Sequence, residues 1–238
     1  ILGVGVVLLV FGVTFFAVTR MADRPESLRS QARMPHVSMP QAGLLVYYPF
    51  DGSAVDRSGG GHDGVLNGAR PTVNRHGVGG AALSFDGVDD FVRIQPTKTV
   101  ATFSISLWAR GKALPYVAIF SQALQNFGVR HDGEGRIAFE VFLVDQNTYT
   151  VTGSKALDQW THVVGLYAAG ETFQLYVNDV LVDSLHAPPL LEGHPTQYGS
   201  SIGAALGGAL GFYEGDIDDV RIYDRLLTPA EIHLLFWE

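Results

Sequence analysis

Residues 103–110 read FSISLWAR, and this alternation constrains the fold more than any other stretch of the chain. On an extended strand Phe103, Ile105 and Leu107 share one face, and Ser104, Ser106 and Trp108 share the other. A helix would scatter the same apolar residues around its circumference. Similar short runs recur from residue 43 onward, punctuated by glycine and aspartate turns. GLLVYYPF reads as a first strand, and AALSFDG and DFVRIQ as two strands around the turn DGVDD. NFGVRHDGEGRIAFEVFLV reads as a hairpin with HDGEG at its tip. HVVGLYAAGETFQLYVNDVLVDSL contains three strands, and GDIDDVRIYDR is a late one. TPAEIHLLF is a short helix: Thr228 caps it, Pro229 opens it, and Glu231 completes a capping box. Roughly a dozen strands and one short helix, without βαβ alternation, predict an all-β fold of two stacked antiparallel sheets.

The amino-terminal part is different. Ile1 to Thr19 carry no charge. At about 1.5 Å per residue that run makes a helix of about 28 Å, close to the hydrocarbon thickness of a bilayer. It is expected to be a transmembrane helix that places the protein in a membrane. Residues 20–42 are polar and proline-containing, and are expected to be an extended tether. Residues 43–238 form the globular domain. Arg20, Arg24, Arg29 and Arg33 follow the span, which leaves its orientation open from charge alone.

The 16 basic residues are outnumbered by 24 acidic ones, the net charge is −8, and the domain holds no basic cluster, so nucleic acid is excluded as a partner. The absence of cysteine excludes disulfides, thiolate metal sites and a thiol nucleophile. The histidines show no zinc-ligand spacing.

Two constellations remain. Glu214, Asp216 and Asp218 alternate along the late strand, and a glycosidase needs two carboxylates facing one sugar bond. If Val220 and Ile222 face the core, strict parity puts Asp218 there as well, where a bare carboxylate is costly. A β-bulge, an arginine such as Arg221 or Arg93, backbone N–H groups, or a cation is therefore expected at Asp218. The second constellation is the loop FDGSAVDRSGGGHDG, which supplies the carboxylates and free carbonyls that calcium requires.

LLVYYPFDGSAVDRSGGGHDG, GGAALSFDGVDDFVRI, FSISLWAR, QWTHVVGLYAAGETFQLYVNDVLV and GDIDDVRIYDRLLTPAEI occur in the order found in laminin-G-like domains. Residues 43–238 thus resemble the laminin-G-like jelly rolls of the concanavalin A-like lectin/glucanase superfamily. The resemblance implies a two-sheet antiparallel jelly-roll sandwich. It implies a structural Ca2+ held by Asp51, Asp56 and Asp219, and it makes the paired acids of IDDVRIY fold markers rather than catalysts. It also implies packed positions for Trp108, Trp160 and His162, and a domain outside the cytoplasmic membrane, in the periplasm or at the cell surface. The leading expectation is a non-catalytic, membrane-anchored interaction module, an accessory subunit docking onto other integral membrane proteins. The alternatives are a lectin-like domain that binds a glycan, and a glycoside hydrolase using Glu214 with Asp216 or Asp218.

Overall fold

The computed structural model describes residues 38–95, 100–122, 127–142, 147–155, 158–189 and 199–238. The expected membrane span at 1–19 and tether residues 20–37 lie outside the described residues. Among the described residues no helix is long and apolar enough to cross a membrane. The compact unit runs from Met39 to Glu238.

The described strands are β1 (Leu44–Tyr48), β2 (Val65–Asn67), β3 (Arg70–Val73), β4 (Gly79–Asp86), β5 (Phe91–Ile94), β6 (Thr102–Gly111), β7 (Ala118–Gln122) and β8 (Phe127–His131). They continue as β9 (Arg136–Phe142), β10 (Thr148–Lys155), β11 (Thr161–Ala168), β12 (Thr172–Val177), β13 (Val180–Leu185), β14 (Ser200–Ile202) and β15 (Glu214–Tyr223). One helix follows, α1 (Pro229–Trp237). The strands form two antiparallel sheets. Sheet A has the order β13-β12-β11-β6-β15-β4-β3, with β1 also paired to β15, and sheet B the order β10-β9-β8-β7-β14-β5-β2. The expected all-β, two-sheet antiparallel sandwich is what the chain forms. Sequence patterning misses β2, β3, β7, β10 and β14. Three of these are runs of only three or four residues (VLN, RPTV and SSI), too short to display a period.

The alternation in β6 places Phe103, Ile105, Leu107 and Ala109 in the core between the sheets. Phe103 meets Phe127 of sheet B with ring centroids 4.3 Å apart. Packing is close enough to require a glycine on β11, because a Cβ at Gly165 would lie 2.7 Å from the Phe139 ring.

The opposite row of β6 (Ser104, Ser106, Trp108, Arg110) faces the outer side of sheet A. Part of this side is covered by α1, which packs Ile232 and Leu235 against Val164, Leu166 and Tyr223. The capping box forms as expected: Glu231 N–H donates to Thr228 Oγ1, and Thr228 N–H donates to the Glu231 carboxylate. Hydrogen bonding from Arg225, aided by Thr228, pushes Glu231 down to about 2.

Strand β15 resolves the parity conflict. Ile217, Val220 and Ile222 are all core residues. The pairing of β15 with β6 shifts register between Asp218 and Arg221, and Asp219 adopts φ 49. This bulge inserts one residue, so Asp218 and Arg221 both reach the outer face. The bulge lies where β15 changes neighbour, from β4 along Glu214–Ile217 to β1 along Val220–Tyr223.

Candidate functional site

The outer face of sheet A gathers the polar residues that the strands turn away from the core. At its centre three carboxylates meet two guanidinium groups. Arg75, from the β3–β4 turn, lies 3.1 Å from Asp218, 2.5 Å from Asp219 and 3.1 Å from Glu238. Arg221 pairs with Asp219 at 3.2 Å and with Glu238 at 2.7 Å. Tyr47 hydroxyl donates to Asp219 at 2.7 Å, and the Arg221 guanidinium lies 4.1 Å from the centre of the Tyr47 ring. The cluster has one more acid than base, and its members divide accordingly. Burial and the Asp219 charge lift Asp218 to about 8, even though Arg75 and the Asp219 N–H favour its ionised form. Burial also opposes ionisation of Asp219, but Arg221 and Arg75 overcome it and hold its carboxyl below the usual range. Beneath them His162 shares a hydrogen bond of 2.9 Å with Ser106 and stacks on Trp108. Burial, with the nearby Arg221 and Arg75 charges, pushes His162 down to about 3, so the ring is neutral and packed, in keeping with the scaffold role implied for it.

The expected partner of Asp218 is thus found in part. The bulge is present, but the arginine is Arg75. Arg221 reaches Asp219 instead, and Arg93 lies over Phe91 in sheet B. Nothing in sequence spacing marks Arg75, which is separated from Asp218 by 143 residues.

Beside this cluster a cleft of about 550 Å³ opens over Ser84, Asp86, Arg110, Lys112, Asp158, Glu214 and Asp216. Glu214 and Asp216 therefore do share one face, as their alternation indicates. Each is neutralised: Lys112 pairs with Glu214, and Arg110 donates to Asp216 through Nε at 3.0 Å and through its terminal nitrogen at 2.6 Å. Arg110 also lies 5.0 Å from the centre of the Trp160 ring. Asp218, on the other side of the bulge-forming segment, points to Arg75 and is not part of the cleft lining. Both β15 carboxylates of the cleft are thus paired with a base, while Asp86 and Asp158 also line it.

Asp51, Asp56 and Asp219 are placed differently from one another. Asp56 is buried and organises its loop, with Oδ1 accepting from Tyr47 N–H and Ser58 N–H and Oδ2 from His62 N–H and the Ser58 hydroxyl. Burial disfavours its charge, yet these donors hold its pKa below the usual carboxylate value. Asp219 is occupied by Tyr47, Arg75 and Arg221, and Asp51 is exposed. Asp56 and Asp219 already accept N–H and guanidinium donors that calcium would have to displace, so these two carboxylates as placed do not fit the ion. Among the described residues, the acids whose oxygens lie close enough together to share a metal ion are Asp86, Asp89 and Asp90, in the β4–β5 turn. Asp86 and Asp90 there accept backbone N–H groups of the same turn.

Fold and site together define a two-sheet antiparallel β-sandwich with a buried charge cluster and a polar cleft on the outer face of one sheet. The family described as the concanavalin A-like lectin/glucanases superfamily matches residues 85–233, and the chain belongs to it. No curated protein matches the sequence. Among solved structures, domain 4 of AbnA, a GH43 extracellular arabinanase from Geobacillus stearothermophilus solved with arabinotriose, is similar with a TM-score of 0.66 and 20% identity, over 82% of this chain and 99% of that one. The botulinum neurotoxin serotype D binding domain is similar with a TM-score of 0.66 and 15% identity, over 83% of this chain and 52% of that one. The serotype D/C binding domain in complex with SialylT gives a TM-score of 0.65 at 14% identity, over 82% of this chain and 51% of that one. The chain thus spans about half the length of the toxin binding domains it matches. At these identities the likeness establishes the fold.

Proposed function

We propose that this protein is a non-catalytic binding module that recognises a glycan through the cleft on the outer face of sheet A. The observation that carries the reading is the pairing of every charged group on β15 that reaches the cleft: Glu214 with Lys112 and Asp216 with Arg110. Such pairs present donors and acceptors to sugar hydroxyls, and each of the two carboxylates is already engaged by a base. The arabinanase domain solved with arabinotriose and the toxin domain solved with SialylT support a glycan as ligand. The test is a glycan array, followed by titration with arabinotriose and by a hydrolysis assay on the glycans retained. Binding that is lost in Arg110→Ala, with no hydrolysis by the wild type, supports the reading. Turnover that disappears in Glu214→Gln would make the protein a glycosidase instead.

Residues 1–19 and 20–38 carry the second half of the proposal, from sequence alone: a membrane anchor and a tether that display the module outside the cytoplasmic membrane. Fractionation into the membrane pellet, with the domain accessible to external protease, is the expected result. Stoichiometric co-purification with integral membrane proteins in mild detergent would favour the docking subunit and make a protein, not a glycan, the principal ligand.

A further inference from the structure

The polar surface of the cleft continues beyond β15. Asp216 pairs in register with Arg110 of β6 on one side and with Ser84 of β4 on the other, and Ser84 pairs with Arg70 of β3. Leu83 and Phe85 face the core, so alternation turns Ser84 and Asp86 outward. Arg110, Asp216, Ser84 and Arg70 thus form one transverse row over four neighbouring strands. A second row runs beside it, in which Glu214 pairs with Asp86 and the Glu214 carbonyl accepts from Lys112 N–H at 3.1 Å.

A second cleft, of about 360 Å³, lies over the far half of these rows. It is lined by Gly68, Arg70, Asp89 and Asp90, and it shares Ser84 and Asp86 with the cleft of about 550 Å³. The two cavities therefore meet on β4. Adjacent strands lie about 4.8 Å apart, so the row from Arg110 to Arg70 is about 14 Å long, the span of about three linked sugar rings. Arg70 is exposed and, among the described residues, donates no side-chain hydrogen bond, so its guanidinium is available to a ligand at this end. The aromatic residue found in the two linings, among the described residues, is Phe85, which is only 2% exposed. Without an aromatic platform, affinity has to accumulate from hydrogen bonds along the ligand, and its length then matters.

Charge sets the class of ligand. The two linings hold three bases, Arg70, Arg110 and Lys112, against twice as many acids. Glu214 and Asp216 are each engaged by a base, whereas Asp86, Asp89 and Asp158 have no ion-pair partner among the described residues. Backbone N–H groups of the β4–β5 turn, that of Val88 foremost, hold Asp86 below the usual carboxylate range, so it is ionised where the cavities join. A sialic or uronic acid would enter a field that already carries an excess of negative charge, and like charges brought together count against binding.

We infer that the two clefts form one groove, which binds an uncharged oligosaccharide of about three rings laid across the strands from Arg110 to Arg70 and which rejects acidic glycans. The inference rests on the glycan-binding reading of the cleft and adds to it a length, a charge class and the residue that reads the far end.

Arabino-oligosaccharides of two to five rings are titrated calorimetrically against the full chain. The size series of any other retained glycan is added, from an array that prints each backbone with and without a terminal sialic or uronic acid. Affinity should rise about tenfold from two rings to three, the worth of one added hydrogen bond from a charged donor, and Arg70→Ala should remove most of that gain. Arg70 is exposed on an edge strand, and an unchanged melting temperature checks that the variant folds. Acidic forms should bind at least about tenfold more weakly than their neutral backbones, with the difference narrowed by Asp86→Asn and by high salt. Affinity independent of length, or a gain unchanged in Arg70→Ala, while Arg110→Ala still abolishes binding, would overturn the groove and leave the cleft reading standing. Preferred retention of the acidic forms would overturn the charge class. No glycan binding by any measure would remove both the groove and the reading beneath it.

Discussion

Replacing Arg75 with methionine should destabilise the domain. The guanidinium serves Asp218, Asp219 and Glu238 at once and covers Trp108. Methionine keeps much of the aliphatic packing and removes the charge, leaving Asp219 and Glu238 to Arg221 and Asp218 with no guanidinium partner. Breaking a buried ion pair from one side costs about 3–5 kcal/mol, against a total stability of about 5–15 kcal/mol for a domain. At about 2–4 °C per kcal/mol for a domain of this size, the melting temperature should fall by roughly 6–20 °C. The pH dependence carries the sign. Asp218 already has its folded pKa raised to about 8 from 3.8, so the stability it contributes is complete below about pH 4 and is lost as pH rises toward 8. Without Arg75 the folded carboxylates bind protons still more readily, so the deficit of the variant should grow from pH 4.5 to pH 7. Urea unfolding at both values, with Arg75→Lys as the charge-retaining comparison, measures this. A loss below about 1 kcal/mol at pH 7, or a deficit independent of pH, would refute the view that the guanidinium holds this cluster through its charge.

Other outcomes follow from the same geometry. His162 is held at about 3 against 6.5 when free, so the unfolded chain takes up that proton first and stability falls as pH drops from 6.5 toward 3; His162→Gln should flatten this acid limb in urea unfolding. Thr228→Ala removes the cap of α1 and should cost about 1 kcal/mol; because α1 supplies Phe236 and Trp237, tryptophan fluorescence should red-shift in the same variant. Asp56 and Asp219 are satisfied by protein donors, so calcium or a chelator should leave the melting temperature unchanged, and a calcium-dependent rise would restore Asp51, Asp56 and Asp219 as ligands. Gly165→Ala should cost about 1–3 kcal/mol by pressing a methyl into Phe139, read as a lower urea midpoint with an unchanged slope.

Local periodicity carried the fold a long way. The alternation of FSISLWAR assigned both faces of β6 correctly, and the capping box of TPAEI fixed the start of α1, because both depend on residues within one strand or one turn. The row Glu214–Asp216 was visible for the same reason, and both side chains line the cleft. The conflict at Asp218 was also visible, as a parity that could not hold.

Its resolution was not. Arg75 reaches Asp218 and Asp219 from a turn on the far side of β4, and Lys112 and Arg110 meet Glu214 and Asp216 only because β6 lies beside β15. Arg70 joins Ser84 and Asp216 in one row only because β3, β4 and β15 lie side by side. By itself the sequence determined which segments are extended, which face of each strand is apolar, and where the chain must turn, since side-chain alternation and backbone chirality are properties of a few consecutive residues. Only the tertiary structure decided which charges neutralise one another and which polar residues share the groove, because those partners are chosen by the order of strands in the sheet, a pairing across long sequence distances that no local pattern encodes.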